Sequence, residues 1–307
     1  MATHVDAERE KKYAALTSVI AAIGLTVFKI IIGILTGSLG ILAEAAHSGL
    51  DLLAAIVTFA AIHFSSKPAD RDHLYGHGKI ENLSALFETL LLLVTCVWII
   101  SEAVERLFLK EVRVEASIWA FLVMIVSIVI DYSRSRVLYR AARDYNSQAL
   151  EADALHFSTD IWSSAVVILG LICIKIGDWV PSLGFLHKAD ALAALGVAII
   201  VIYVSIQLGM RTVQALIDAA PHGIHDAIKN SVESLPGVSN CHNIRIRHSG
   251  PQTFVDIHIL ADGAKTLKEI HDLTEEIECE IQKIIPDADV TIHPEPCRTD
   301  DEGDAAQ

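Results

Sequence analysis

Two histidine–aspartate pairs carry the most specific chemistry in this sequence. His47 stands four residues before Asp51 and His156 four before Asp160, each pair inside a run apolar enough to cross a bilayer. Residues four apart on a helix share a face, so each run offers one imidazole and one carboxylate from the same side. Two such helices packed together supply two nitrogens and two oxygens, a tetrahedral donor set suited to zinc. The plainer alternative is two unrelated polar pairs lining a helix bundle. An aspartate at the centre of a membrane helix costs about 2.5–3.5 kcal/mol on insertion scales and tends to mark an ion pathway. One spacing repeated in two helices therefore favours a shared site.

The elements that must position these pairs are membrane helices. With 52% hydrophobic and 20% charged residues and a mean hydropathy of +0.44, 307 residues are too apolar for an ordinary soluble domain. The net charge of −14 is unevenly placed, because the chain from residue 220 onward holds 17 acidic against 7 basic residues. That divides the sequence into a membrane part and an acidic soluble part. The acidic surface argues against nucleic-acid binding and attracts cations. The five cysteines form no CxxC and no even framework, which predicts neither disulfides nor a thiolate zinc site.

Residues 1–12 are polar, and residues 13–35 are long enough to span a core of about 30 Å. This first span is too long for a signal-peptide core and reads as retained. Lys29 inside it reads as a snorkelling or internally paired lysine. Further spans are expected from the turn at 36–40 to residue 64, then over 83–104, 116–130, 147–176 and 189–209. Six spans put both termini on one side. Eleven lysines and arginines flank that side against five on the other, which predicts cytoplasmic termini by the positive-inside rule. At 1.5 Å per residue, His47 and Asp51 then lie about 10–16 Å below the outer face and His156 and Asp160 about 14–20 Å from the inner one. The two pairs reach one level, near the midplane where alternating-access transporters place their substrates.

Three stretches carry a resemblance to a known family: TGSLGILAEAAHSGLD at 36–51, KPADRDHLYGHGKIE at 67–81 and HFSTD at 156–160. In combination they resemble the cation diffusion facilitators, proton-coupled exporters of divalent metals, and the likeness extends from about residue 12 to 296. It implies that His47, Asp51, His156 and Asp160 form the transport site, and that a His-Asp/His-Asp set prefers zinc over manganese. Ligand chemistry agrees, since imidazole suits zinc, cobalt and nickel while manganese favours oxygen. The choice among zinc, cobalt, cadmium, iron and nickel stays open on sequence grounds, as does the alternative of a metal receptor that moves nothing. An intramembrane metalloprotease is disfavoured, because it needs an open metal position and a base, commonly as HExxH, which is absent.

Asp70, His73 and His77 have ligand spacing in a loop that Pro68, Gly76 and Gly78 keep from being helical. By itself this reads as a solvated loop with two histidines. The resemblance implies instead a loop metal site, which we expect to be weak or regulatory because the loop must order to bind. The resemblance also suggests a charge interlock between Lys79 and Asp218.

Residues 220–296 read as a small α+β domain of order αββαβ. A helix over 224–235 ends at Pro236-Gly237. Two alternating runs, 241–247 and 253–260, flank a Ser249-Gly250-Pro251 turn and form a hairpin. A second helix over 266–285 repeats Ile270, Leu273, Ile277, Ile281 and Ile284 on one face, and a last strand covers 288–293. Pairing across the turn sets His242 opposite His258 to within a residue. His271, His293 and Glu295 are then candidates to complete a cluster; the alternative is a histidine-rich acidic surface. The resemblance supports metal binding by all five, with zinc the expected ion, and implies that the domain dimerises. The sequence departs from the family pattern at Asn243, where a carboxylate is frequent, and at Glu295, where aspartate is expected. His222, His225 and His248 read as surface residues, and residues 297–307 as an acidic, disordered tail.

Overall fold

The computed structural model describes residues 4–108, 118–179, 189–220 and 223–297. Lys110, Arg113 and Lys188 of the charge count, the start of the fourth span at residue 116, His222 and the tail after residue 297 lie outside these residues. The chain divides into two compact units, Met1–Val213 and Gln214–Gln307.

Six long helices build the first unit: α1 (His4–Thr36), α2 (Leu39–Ser65), α3 (Lys79–Phe108), α4 (Ile118–Asp144), α5 (Gln148–Trp179) and α6 (Ala189–Leu216), the last crossing into the second unit. Four stretches within them are long and apolar enough to cross a membrane, namely Asp6–Thr36, Glu44–Ser65, Lys79–Glu105 and Leu195–Leu216. In α4 and α5, Asp131, Arg134, Glu151, Asp153 and Asp160 stand within or beside the apolar runs. Several of these groups point inward, and large apolar side chains such as Ile31, Val94, Trp98 and Ile200 are exposed on the outside. That is the arrangement expected where lipid is the outer solvent.

Short connections enforce helical hairpins. Gly37, with φ of 65°, adopts the left-handed conformation that closes α1, and the Ser38 side chain accepts a hydrogen bond from the Ile41 backbone N–H to cap α2. Helix α1 packs along α2, α4 along α5, and α1 against α4, while α3 lies against α2 and α5. Several ends depart from the expected spans. Helix α1 begins at His4, ahead of its apolar run, α4 continues to Asp144, well past residue 130, α3 covers Lys79–Phe108, and α6 runs to Leu216, past residue 209. Polar contacts tie the added parts of α1 and α4 to other helices: Lys11 Nζ lies 2.7 Å from Glu81 Oε1 of α3, and Arg134 Nη2 donates to Ser18 Oγ of α1 at 3.1 Å.

The second unit holds α7 (Ile224–Glu233), β1 (Val238–Ser249), β2 (Gln252–Ala261), α8 (Leu267–Ile284) and β3 (Asp289–Pro296). The sheet order is β1-β2-β3, with β1 and β2 antiparallel and β2 and β3 parallel. Strand β2 alternates strictly: Val255, Ile257, Ile259 and Ala261 are buried in one core with Ile228 and Val232 of α7 and Leu273, Ile277 and Ile281 of α8. Both helices therefore cover one face of the sheet, and residues of the opposite parity on β2, including His258, look the other way. Helix α8 starts in a capping box, in which Thr266 and Glu269 exchange side-chain and backbone hydrogen bonds.

Candidate metal sites

In the membrane unit, α2 and α5 bring their pairs together. His156 Nε2 lies 3.2 Å from Asp51 Oδ1 and 3.7 Å from Asp160 Oδ2. His47 Nε2 lies 3.9 Å from both Asp51 Oδ1 and Asp160 Oδ1. Each histidine thus faces both aspartates, its own and the one across the helix interface. Zinc bonds of about 2.0–2.2 Å at the tetrahedral angle place neighbouring ligand atoms about 3.3–3.6 Å apart; one ligand atom each of His47, Asp51 and Asp160 lies within 4.8 Å of the others, and His156 stands beside that group through Asp51 Oδ1 and Asp160 Oδ2. Asp51 and His156 are buried, His47 is the most open of the four with 35% of its side chain exposed, and Asp160 Oδ2 is buried without a hydrogen-bond partner among the described residues.

Charges that the sequence reading did not pair surround this centre. Lys29 Nζ on α1 contacts Ser48 Oγ at 2.8 Å and Glu44 Oε2 at 3.3 Å, both on α2 beside the His47 turn. The Arg134 guanidinium lies 3.4 Å over the ring of Phe157, the residue after His156, and Asp153 accepts from Ser18 Oγ at 3.3 Å. Glu88 on α3 is buried as well. The signal for these was present, since an ionisable residue in an apolar run is costly unless partnered, but the partner could not be read from spacing.

The loop residues also meet. Asp70 Oδ1 lies 3.2 Å from His73 Nδ1, Asp70 Oδ2 lies 3.4 Å from His77 Nε2, and the two imidazole centroids are 4.4 Å apart. The loop is ordered by its own bonds: Asp70 Oδ1 accepts from the backbone N–H groups of His73 and Asp72, and Gly76 takes a φ of 73°. Those backbone bonds, led by that from His73, hold the Asp70 carboxyl below the usual carboxylate range. A carboxylate kept charged beside two imidazoles is a ready cation ligand.

In the second unit, His242 and His258 are direct partners in the β1–β2 ladder, and His258 is the neighbour of His293 in the β2–β3 ladder. His258 Nδ1 lies 2.8 Å from Glu295 Oε1, His242 Nε2 lies 3.6 Å from Glu295 Oε2, and His293 Nε2 lies 3.9 Å from Glu295 Oε1. The hydrogen bond with His258 is the main reason the Glu295 carboxyl sits below its ordinary value, and the neighbouring histidines add to it. His271 stands apart from these residues within the chain. It lies on α8, on the opposite face of the sheet from His258, with its Nε2 3.4 Å from Glu275 Oε1, so it does not join the cluster within this chain. The parity of β2 dictates this, because α8 covers the Val255–Ile257–Ile259 face. At the departure from the family pattern, Asn243 has a φ of 49° beside a register shift in β1, and its side-chain amide lies 3.0 Å from His258 Nε2. Lys79 opens α3 in the first unit, and Asp218 lies in the turn after α6 in the second.

Comparison with known proteins bears on what these centres serve. The family model for a cation efflux transmembrane domain matches residues 15–217, and that for the cytoplasmic domain of cation efflux proteins matches residues 220–297. The chain is similar to the cation-efflux pump FieF of Yersinia enterocolitica, with 33% identity over 288 residues covering 93% of this chain and 92% of the relative. It is 31% identical over 297 residues to the pump of the same name from Serratia proteamaculans, covering 95% of each. Among solved structures, the metal-bound C-terminal domain of the CzcD transporter from Thermotoga maritima matches at 40% identity, covering 24% of this chain and 86% of that one with a TM-score of 0.23.

Proposed function

The chain belongs to the cation diffusion facilitator, or cation efflux, family, and from that premise we propose that it exports zinc from the cytoplasm in exchange for protons. It is a multi-pass cation efflux transporter, and we read it as a transporter rather than an enzyme. The observation that carries the zinc reading is the convergence of His47, Asp51, His156 and Asp160 from two helices into four histidine–aspartate contacts of 3.2–3.9 Å. Zinc binds neutral imidazole and ionised carboxylate, so metal and proton compete for the same four groups and each displaces the other. Histidine titrates near neutrality, which lets His47 and His156 carry protons inward after zinc has left. A site with two aspartates costs less to bury filled or protonated than empty and charged. That bias favours strict exchange.

On this reading the protein sits in the inner membrane with both termini in the cytoplasm and works as a homodimer joined through the second unit. Zinc bound by His242, His258, His293 and Glu295 stabilises the bound form of that unit, and Asp70, His73 and His77 serve as a weaker loop site. Flux into sealed proteoliposomes with a panel of metals tests the proposal. Sustained zinc uptake that collapses with the proton gradient supports it; binding without flux identifies a receptor, and gradient-independent flux contradicts exchange.

A further inference from the structure

The polar groups of α2, α3 and α5 form a ladder with a seven-residue rung. At the first rung, fully buried Glu81 of α3 contacts Ser65 of α2 at 3.0 Å and Ser147 just before α5 at 2.5 Å, and carries the ion pair with Lys11. Seven residues further along α3 stands Glu88, bonded by the hydroxyl of Thr58, seven residues back along α2 from Ser65. On α5, Asp153 stands six residues after Ser147. Seven residues beyond Thr58 and Asp153 in turn stand Asp51 and Asp160 of the transport site. At 1.5 Å per residue, successive rungs lie about 10 Å apart.

The middle rung holds two carboxyls, each only 1% exposed. One oxygen of each is held, Glu88 Oε1 by Thr58 and Asp153 Oδ2 by Ser18. The other oxygens, Glu88 Oε2 and Asp153 Oδ1, are buried without a hydrogen-bond partner among the described residues. The helices that bear them pack directly, with Ala85 and Ala152 in one buried cluster, and the two carboxyls act on each other electrostatically. Arg134 and His156 both act on Asp153, but Arg134 is already engaged by Asp131 and stacked on Phe157, and His156 is engaged by Asp51. Two bare carboxylate oxygens in a low-dielectric interior are costly without a cation.

We infer that Glu88, Asp153 and Thr58 form a second intramembrane cation station, an oxygen-only site through which the divalent ion passes between the cytoplasm and the His47–Asp51–His156–Asp160 centre. The inference rests on the export reading. Two carboxylates match the charge of a dication, and oxygen donors hold zinc less tightly than a site with imidazoles. Weak binding is what a station needs, because an ion must enter it and also leave.

Zinc flux into proteoliposomes as a function of zinc concentration on the cytoplasmic face, with Glu88→Gln, Asp153→Asn and Thr58→Val, tests the path. The two carboxyl variants are expected to raise the half-saturating concentration by about tenfold or more, Thr58→Val by less, and Glu88→Asp to restore most of the loss. Electron paramagnetic resonance of Mn2+ added to the full-length chain tests the site separately. In a background of Asp51→Ala and Asp160→Ala, Glu88→Gln should remove one bound Mn2+ per chain. An unchanged Mn2+ count, or carboxyl variants with unaltered flux, overturns the station. A wild-type chain that moves no zinc refutes export itself, while the Mn2+ count still decides whether the middle rung binds a cation.

Discussion

His156 Nε2 lies 3.2 Å from Asp51 Oδ1, a contact across 105 positions of sequence that ties α5 to α2. It turns two separate i,i+4 pairs into one centre, since neither histidine serves only the aspartate on its own helix. The consequences below follow from that sharing and from the elements that enforce it.

Asp51→Ala and Asp160→Ala are each expected to abolish zinc flux while leaving a folded protein in the membrane. Each removes one ligand and half of the compensating charge. Normal zinc transport by either purified variant in proteoliposomes would falsify the four-ligand assignment.

His47→Asp is expected to broaden metal choice towards cadmium and manganese. His47 is the most exposed of the four ligands, and exchanging its nitrogen for oxygen makes the donor set harder. Competition among metals during transport gives the answer, and an unchanged order of preference would mean that His47 does not set selectivity.

Calorimetry on residues 214–307, which form their own compact unit, separates the cytoplasmic ligands. His242→Ala and His258→Ala should each weaken zinc binding by about tenfold or more. His271→Ala should leave the affinity per chain unaltered, because His271 lies on the opposite face of the sheet. Equal loss in all three variants would indicate that a second copy brings His271 to the site.

The capping box of α8 gives a pH-dependent prediction. Glu269 accepts from the Thr266 backbone N–H, which lowers its carboxyl below the ordinary value. A group with a depressed folded value stabilises the fold above its unfolded value, about 4.3, and loses that contribution as pH falls through the folded one. Thr266→Ala should cost the isolated unit about 1 kcal/mol at neutral pH. Glu269→Gln should destabilise it at neutral pH and flatten its loss of stability between pH 5 and 3 of the urea-unfolding series, taken as about the carboxylate range; an unaltered pH profile would remove Glu269 from the account.

Lys11→Met leaves the buried Glu81 carboxylate without its counter-charge. Removing one partner of a buried ion pair costs about 3–5 kcal/mol, so the variant should melt well below the wild type in detergent. Lys11→Met combined with Glu81→Gln should recover part of the loss. A melting temperature unaffected by the single change would show that Ser65 and Ser147 suffice to hold Glu81.

The periodicities of this chain are strong enough to read without a structure. Apolar runs with no competing pattern require membrane helices, and the alternation of 253–260 beside the i,i+4 face of Ile270 to Ile284 requires a sheet covered by helices. The pairing of His242 with His258 was legible for the same reason, because a short turn dictates register. The His-Asp spacing nominated His47, Asp51, His156 and Asp160 as one candidate set, since residues four apart on a helix share a face.

What spacing cannot give is which face meets which neighbour. Sequence could nominate His271, but the parity of β2 and the side on which α8 docks exclude it from the cluster of His242, His258, His293 and Glu295. Sequence likewise left Lys29 and Arg134 unpaired, and passed over Glu88 and Asp153. Glu44, Thr58 and Ser18, the partners of Lys29, Glu88 and Asp153, are set by helix packing, whereas Asp131 lies three residues before Arg134 on α4 and was within reach of spacing. Periodicity determined the elements and the ligand pairs; tertiary packing alone decided which buried charges are compensated and which carboxylate oxygens stay bare.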